Sequence, residues 1–173
     1  MKKMLIVLLL AFGLTGCASE PAWETLEDVM PVEPIAAMQQ LYAPIPGDAT
    51  APTFSGDDGT EVYVCGDFTL TKQILPGGDI HRTVKEISGM EKDQLQLLET
   101  NLEGYDRWDT VWTSATEEGL QITRACILDD GGYHYVLTTT AGETEAGMLA
   151  DTWQDIFSRC CLLPEGVDLS IGS

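Results

Sequence analysis

The sequence predicts an α+β fold in which helices pack on an antiparallel sheet of about six strands. Three features indicate this fold. From residue 61 onward, short runs rich in β-branched and aromatic residues alternate with turn residues, as strands and their connections do. A segment with helix-capping residues follows the first two runs. Near the carboxyl terminus, apolar residues recur at helical spacing on one side of a polar segment.

The predicted strands are joined by short connections. They cover residues 61–65, 68–75, 95–103, 105–116, 120–128 and 133–140. The turns are predicted at Gly66-Asp67, Gly104, residues 117–119 and residues 129–132. Because short connections favour antiparallel pairing of consecutive strands, the last four strands are expected to form a meander.

Two helices complete the element order β-β-α-β-β-β-β-α. Asp79 is a candidate N-cap of the first helix, Ile80, Val84 and Ile87 share one face, and Gly89 lies beyond its end.

The second helix has the clearest period in the chain. Its apolar stripe consists of Leu149, Trp153, Ile156, Phe157 and Cys160. The opposite face is polar and mostly acidic, which argues against a membrane-surface helix. We therefore expect Trp153 and Phe157 to pack on the sheet; a partner-binding stripe is the alternative.

The segment before the sheet has a different composition. Its prolines are Pro21, Pro31, Pro34, Pro44, Pro46 and Pro52, and its glycines include Gly47, Gly56 and Gly59. Repeated prolines prevent long helices and hydrogen-bonded ladders. Residues 17–60 are therefore predicted to form an anchor and tether, and residues 61–173 a single domain.

The amino terminus has the pattern of an export signal. Lys2 and Lys3 precede an apolar run over residues 4–12, which is too short to cross a bilayer. The next residues, Leu14-Thr15-Gly16-Cys17, resemble the lipobox of bacterial lipoproteins. This resemblance implies that residues 1–16 are a signal peptide. It also implies that Cys17, the first mature residue, carries acyl chains such as palmitate at the extracytoplasmic face of the cell membrane.

The domain is similar in pattern to the superfamily of the photosystem PsbP proteins and the bacterial DcrB-like lipoproteins. The residues that carry the resemblance are DGGYHYVLT at 130–138 and DIFS at 155–158, within a shared element order over residues 61–163. The resemblance implies an αβα sandwich and a mostly non-enzymatic assembly or binding role. It assigns no functional residue.

The charge of the chain restricts its partners. Nine Lys and Arg face 28 Asp and Glu, and cleavage before Cys17 would remove Lys2 and Lys3, leaving seven basic residues and a net charge of about −21. Such a chain repels phosphate backbones and anionic headgroups, so nucleic-acid binding is not expected. The expected partners are the membrane, through the lipid on Cys17, and an envelope protein or a small ligand.

Four further cysteines leave alternatives open: Cys65, Cys126, Cys160 and Cys161. Exported proteins permit disulfides, and Cys65 and Cys126 would pair if the first and fifth strands lay close together. Burial as reduced, small apolar side chains is the other interpretation. No metal site is predicted, because C-x-x-C spacing is absent.

Few residues suggest ligand chemistry. Trp112, Tyr135 and His134 are the ligand-binding candidates, although Trp112 and Trp108 share a strand face that a helix could cover instead. His81 is the second histidine, and no G-x-S-x-G, H-E-x-x-H or Walker motif accompanies either one. We therefore predict no enzyme, catalytic residue or cofactor. A small-molecule or cation receptor and an envelope hydrolase remain the alternatives.

Two acidic pairs precede glycine and could be interpreted as calcium ligands or as turns. Neither Asp57-Asp58 nor Asp129-Asp130 has the spacing of an EF-hand loop. Asp-Gly between extended runs is a hairpin signal, so turns are predicted at both.

Overall fold

An antiparallel sheet of seven strands lies at the centre of the described domain. The structure, a computed structural model, describes residues 39–55, 60–102 and 104–164. Its strands are β1 (Gln40–Tyr42), β2 (Thr53–Ser55), β3 (Thr60–Cys65), β4 (Phe68–Pro76), β5 (Leu98–Leu102), β6 (Tyr105–Thr116), β7 (Gly119–Asp129), β8 (Tyr133–Gly142) and β9 (Cys161–Leu163). Its helices are α1 (Ile80–Ser88), α2 (Glu143–Met148) and α3 (Ala150–Ser158), with a 3-10 turn at Lys92–Gln94.

The strand order in the large sheet is β2-β3-β4-β8-β7-β6-β5. The strands β5 to β8 form the meander that short connections predict, with every neighbouring pair antiparallel. The hairpin of β3 and β4 joins the free side of β8, where Leu75 lies opposite His134. The chain therefore crosses the sheet between β4 and β5, and α1 lies in that crossover.

Helices cover both faces of the sheet, so the predicted α+β class and its sandwich arrangement are confirmed. Because strand side chains alternate between faces, neighbouring residues of β7 enter different clusters. Ile127 packs in the same cluster as Val84 of α1. Cys126 and Leu128 pack in the larger cluster that contains Phe157 of α3.

The caps of α1 are those that the sequence predicts. The Asp79 side chain accepts a hydrogen bond from the backbone N–H of His81 at 3.0 Å. Gly89 ends the helix with φ 72°, a left-handed conformation that glycine adopts without a Cβ penalty.

The closing helix is two helices, which corrects the prediction of one continuous segment. α2 ends at Met148 and α3 begins at Ala150, with Leu149 between them at φ −90° and ψ 2°. Gly147 weakens the last turn of α2, and the partly buried Leu149 packs against the core. The predicted stripe is nevertheless buried at Trp153, Ile156 and Phe157.

The domain begins earlier than the predicted boundary at residue 61. β1 pairs with β9, and Leu41 and Ala43 are each 5% exposed in the main core. β2 pairs with β3. The tether prediction is therefore wrong for residues 39–55. The prolines at 44, 46 and 52 lie beside these strands rather than within them, and strands of three residues are too short to show a period.

Several sequence-based predictions lie outside the described residues. These are the signal peptide at 1–16, the lipid site Cys17, the tether over residues 17–38 and the turn at Asp57-Asp58. The strand predicted over 95–103 is shorter, because Leu95 and Leu97 pack in the α1 cluster before β5 begins at Leu98. None of the helices in the described ranges is long and apolar enough to span a bilayer.

Candidate functional site

The three predicted ligand-binding residues do not form one site. His134 and Tyr135 are adjacent in β8, so their side chains point to opposite faces of the sheet. Trp112 pairs with Thr123, whereas His134 pairs with Asp129, six positions further along β7. That separation corresponds to about 20 Å along the strand. Each of the three side chains is buried.

The aromatic residues of β6 belong to the interior. Trp112 is 7% exposed, and Trp108 packs against the α1 cluster. The Trp108 and His134 rings meet edge to face, with 6.4 Å between their centroids. The core interpretation of this strand face is therefore confirmed, and the two indoles do not form an exposed stacking platform.

His134 links α1 to the sheet through a buried polar chain. Its Nδ1 lies 2.6 Å from the Thr83 hydroxyl, and its Nε2 lies 3.3 Å from Asp129 Oδ2. A neutral ring that donates from Nε2 to the carboxylate accepts at Nδ1 from the hydroxyl. Hydroxyl, imidazole and carboxylate in this order resemble a nucleophilic triad. However, Thr83 is 4% exposed and His134 is fully buried. This series of hydrogen bonds therefore attaches α1 to the sheet.

Asp130 organises the hairpin between β7 and β8. Its Oδ1 accepts hydrogen bonds from the backbone N–H groups of Gly132 and Tyr133, both at 2.9 Å. Its Oδ2 accepts from the Tyr135 hydroxyl at 2.9 Å and from Gln39 Nε2 at 3.4 Å. The predicted turn at Asp129-Asp130 is thus confirmed. In the described residues, no group of three or more His, Cys, Asp or Glu could hold a metal ion.

Tyr135 connects this hairpin to the amino-terminal part of the domain. Its hydroxyl donates to Asp130 and accepts from the backbone N–H of Gln39 at 2.7 Å. Burial, followed by the hydrogen bond to Asp130, raises the pKa of Tyr135 to about 12. Tyr135 is therefore a structural residue that holds residue 39 against β8.

This environment predicts a loss of stability in alkali. An unfolded tyrosine loses its proton near pH 10, whereas folded Tyr135 retains it to about pH 12. The folded chain binds more protons in that window, so its free energy of unfolding falls as the pH rises, by at most about 1.4 kcal/mol per unit for one group. Tyr135→Phe should reduce this slope, as measured by urea unfolding at pH 9, 10 and 11. Equal slopes in variant and wild type would contradict the assignment. Tyr63 also has a pKa raised to about 12, so Tyr63→Phe is the comparison variant.

Arg107 is a half-buried cation that no sequence motif singled out. Its Nε and Nη2 donate to the two carboxylate oxygens of Asp109 at 2.7 and 2.9 Å, and this hydrogen bonding raises its pKa. Its Nη1 donates to the carbonyl oxygen of Phe157 near the end of α3 at 3.0 Å. Arg107 and Asp109 lie two positions apart in a strand and therefore on one face. This spacing of opposite charges is the feature by which the sequence could have predicted the pair.

The cysteines are arranged differently from the pairing that the sequence suggested. β4 and β8 lie between β3, which carries Cys65, and β7, which carries Cys126. Three strand spacings amount to about 14 Å, well beyond the separation of bridged Cα atoms. Pairing of Cys65 with Cys126 is therefore excluded in this fold. Cys126 instead packs in the same core cluster as Cys160, and hydrogen bonding to Cys160, followed by burial, raises the pKa of Cys126.

Two surface depressions lie away from the predicted ligand-binding residues. One, of about 670 Å³, lies where β5 begins beside β6, and its walls include Leu98, Asp109, Val111 and Arg124. The other, of about 330 Å³, lies near the turn between β6 and β7, and Glu118 and Glu145 are among its lining residues. Neither depression is lined by Trp112, His134 or Tyr135.

Comparisons with known proteins concern the fold. No family model and no curated protein matches the chain. A cyanobacterial PsbP (CyanoP) from Synechocystis has 11% identity and a TM-score of 0.51, over 72% of this chain and 92% of that one. A Bacteroides thetaiotaomicron protein has 12% identity and a TM-score of 0.50, over 73% of this chain and 46% of that one, so the match spans less than half of its length. LpqN, which is involved in cell envelope biogenesis of Mycobacterium tuberculosis, has 16% identity and a TM-score of 0.49, over 75% of this chain and 86% of that one. The described domain is thus similar in fold to the cyanobacterial PsbP.

Proposed function

We propose that this chain is a lipoprotein of the extracytoplasmic face of the cell membrane and that its domain is a non-enzymatic binding or assembly module. The observation that carries the proposal is the order of residues at the amino terminus. Two lysines, a short apolar run and Leu14-Thr15-Gly16-Cys17 follow one another as in an exported lipoprotein. Two or more acyl chains hold a protein stably at a bilayer, whereas one chain binds only marginally.

The use of the polar groups supports a module rather than an enzyme. His134 and Tyr135 direct their polar atoms to Thr83, Asp129, Asp130 and Gln39 inside the domain. Arg107 is likewise engaged by Asp109. His134 and Arg107 connect helices to the sheet, and Tyr135 connects residue 39 to the hairpin of β7 and β8. The fold is similar to that of a cyanobacterial PsbP, a member of the superfamily whose pattern the sequence resembles.

Cys17→Ala is the direct variant for the anchor. The wild-type chain should fractionate with membranes and be released by detergent, because acyl chains hold it there. The variant should appear in the soluble fraction or at the size of the precursor. Cys65→Ala, which changes a buried cysteine of the domain, is the matched control and should stay with the membrane. A Cys17→Ala protein of mature size that remains membrane-bound would count against a lipid on this residue.

A small-ligand receptor is the second candidate, and the depression beside β5 is the observation that favours it. Leu98 and Val111 supply apolar contact there, and Arg124 supplies a positive charge. Asp109 also lines the depression, but both of its carboxylate oxygens accept hydrogen bonds from Arg107. A ligand that binds the folded chain raises its melting temperature. We therefore expect that a small molecule which raises the melting temperature of the wild type will not do so in Val111→Asp but will still do so in Leu120→Asp. Both positions are exposed, but only Val111 lines this depression. Equal loss in both variants would exclude this depression as the site.

A further inference from the structure

Two cysteines far apart in the sequence are brought to one buried interface by the fold. Cys126 lies in β7 and Cys160 follows α3, and they are 0% and 4% exposed in the same core cluster. Arg124, two positions before Cys126 on the same face of β7, lies 4.4 Å from the centre of the Phe157 ring. Phe157 in turn lies three positions before Cys160. α3 therefore covers β7 beside Cys126, and the fold brings the two thiols to one buried interface.

The remaining cysteines do not compete for this pair. Cys65 is three strand positions away from β7 in the sheet order. Cys161 begins β9, where it lies opposite Tyr42, and a bridge between adjacent residues is strained. Cys126 and Cys160 are therefore the pair that the packing of α3 on β7 brings together.

We propose that Cys126 and Cys160 form a disulfide bond in the exported protein, which joins the end of α3 to β7. This inference rests on the proposed function, because export places the chain where disulfides persist. It extends that function by a covalent modification that holds the packed face of α3 on the sheet.

The bond forms by thiol–disulfide exchange with a disulfide-bearing oxidoreductase. The thiolate of one cysteine attacks the oxidant's disulfide and gives a mixed disulfide, and the second cysteine then displaces the oxidant's thiolate. The two cysteines lose two electrons and two protons, and the oxidant's disulfide becomes two thiols. Because both partners are buried in the folded chain, the exchange takes place while the domain folds.

Refolding of the purified full chain tests whether Cys126 and Cys160 form a disulfide, and the result does not depend on export. The Cys17→Ala chain is reduced, unfolded, refolded in a mixture of reduced and oxidised glutathione, and then labelled with a maleimide under denaturing conditions. Of the four domain cysteines, two should react, and peptide mapping should join Cys126 to Cys160. Cys65→Ala should retain the link, whereas Cys126→Ala should leave Cys160 reactive. Four reactive thiols, or a link that involves Cys65 or Cys161, would overturn the proposal.

The native chain, extracted from membranes, provides the second part of the test. The same labelling and mapping report the link and also the state of Cys17. Lipid on Cys17 together with four reactive domain thiols would overturn the disulfide. Absence of lipid would count against the proposed function. In that case the refolding experiment alone would decide whether Cys126 and Cys160 form a disulfide. Reduction should lower the melting temperature of the linked chain by roughly 10 °C and leave that of Cys126→Ala unchanged. An equal fall in both would contradict a link at these residues.

Discussion

Phe157→Ala is expected to lower the free energy of unfolding of the domain by about 3–5 kcal/mol. Phe157 is fully buried in the larger core cluster, where α3 packs on β7. The guanidinium of Arg124 lies 4.4 Å from the centre of its ring, so truncation also removes a cation–π contact. Since a domain of this size is stable by about 5–15 kcal/mol, the variant loses a large share of its stability.

Urea unfolding of the Phe157→Ala chain measures this effect. Thr152→Ala is the matched control, because Thr152 lies exposed in the same helix and should change the free energy of unfolding by less than about 0.5 kcal/mol. If the apolar stripe of α3 were a partner-binding surface, the isolated Phe157→Ala chain would keep the stability of the wild type. That result would contradict the packing of α3 on the sheet.

Deletion of residues 18–60 is expected to abolish cooperative unfolding or to lower the melting temperature steeply. The deletion removes β1 and leaves β9 without its strand partner. It also removes the buried Leu41, and loss of a buried leucine side chain alone costs about 2–5 kcal/mol. The hydrogen bond from Gln39 to the Tyr135 hydroxyl is lost as well.

A shorter deletion provides the control. All described residues belong to the unit that begins at Ile35, so removal of residues 18–34 should leave the melting transition close to that of the full chain. Circular dichroism of the two truncated chains during thermal unfolding shows whether the domain begins before or after residue 60. The sequence pattern predicted a tether as far as residue 60 and therefore equal stability of both deletions. A cooperative transition at the wild-type temperature in the longer deletion would support that pattern over the structure.

The long elements were predictable because their periods are sustained. β6 has the predicted bounds, β7 and β8 differ from the prediction by one or two residues at an end, and α1 has its predicted caps. β1, β2 and β9 contain three residues each, too few to show an alternation. Their stability comes from pairing across the fold, as when Leu41 lies opposite Leu162, and a single sequence does not show such pairing.

For the candidate residues too, the sequence predicts what depends on neighbouring positions and does not predict contacts with distant ones. Strand alternation alone places His134 and Tyr135 on opposite faces, so it already argued against a single site containing both. The partners of these residues could not be deduced, because Thr83 and Gln39 lie 51 and 96 positions away in the chain. An aromatic or titratable side chain in a central strand thus suggests a ligand only until its internal partners are known.

The mass of the amino terminus of the native protein tests the central claim most directly. The claim is that this domain reaches the extracytoplasmic face of the membrane on a lipid at Cys17, after removal of residues 1–16. Intact and peptide mass spectrometry of the chain extracted from membranes should show a mature protein that begins at Cys17 and carries acyl chains on that residue. A chain that begins at any other residue, or an unmodified Cys17, would contradict the account.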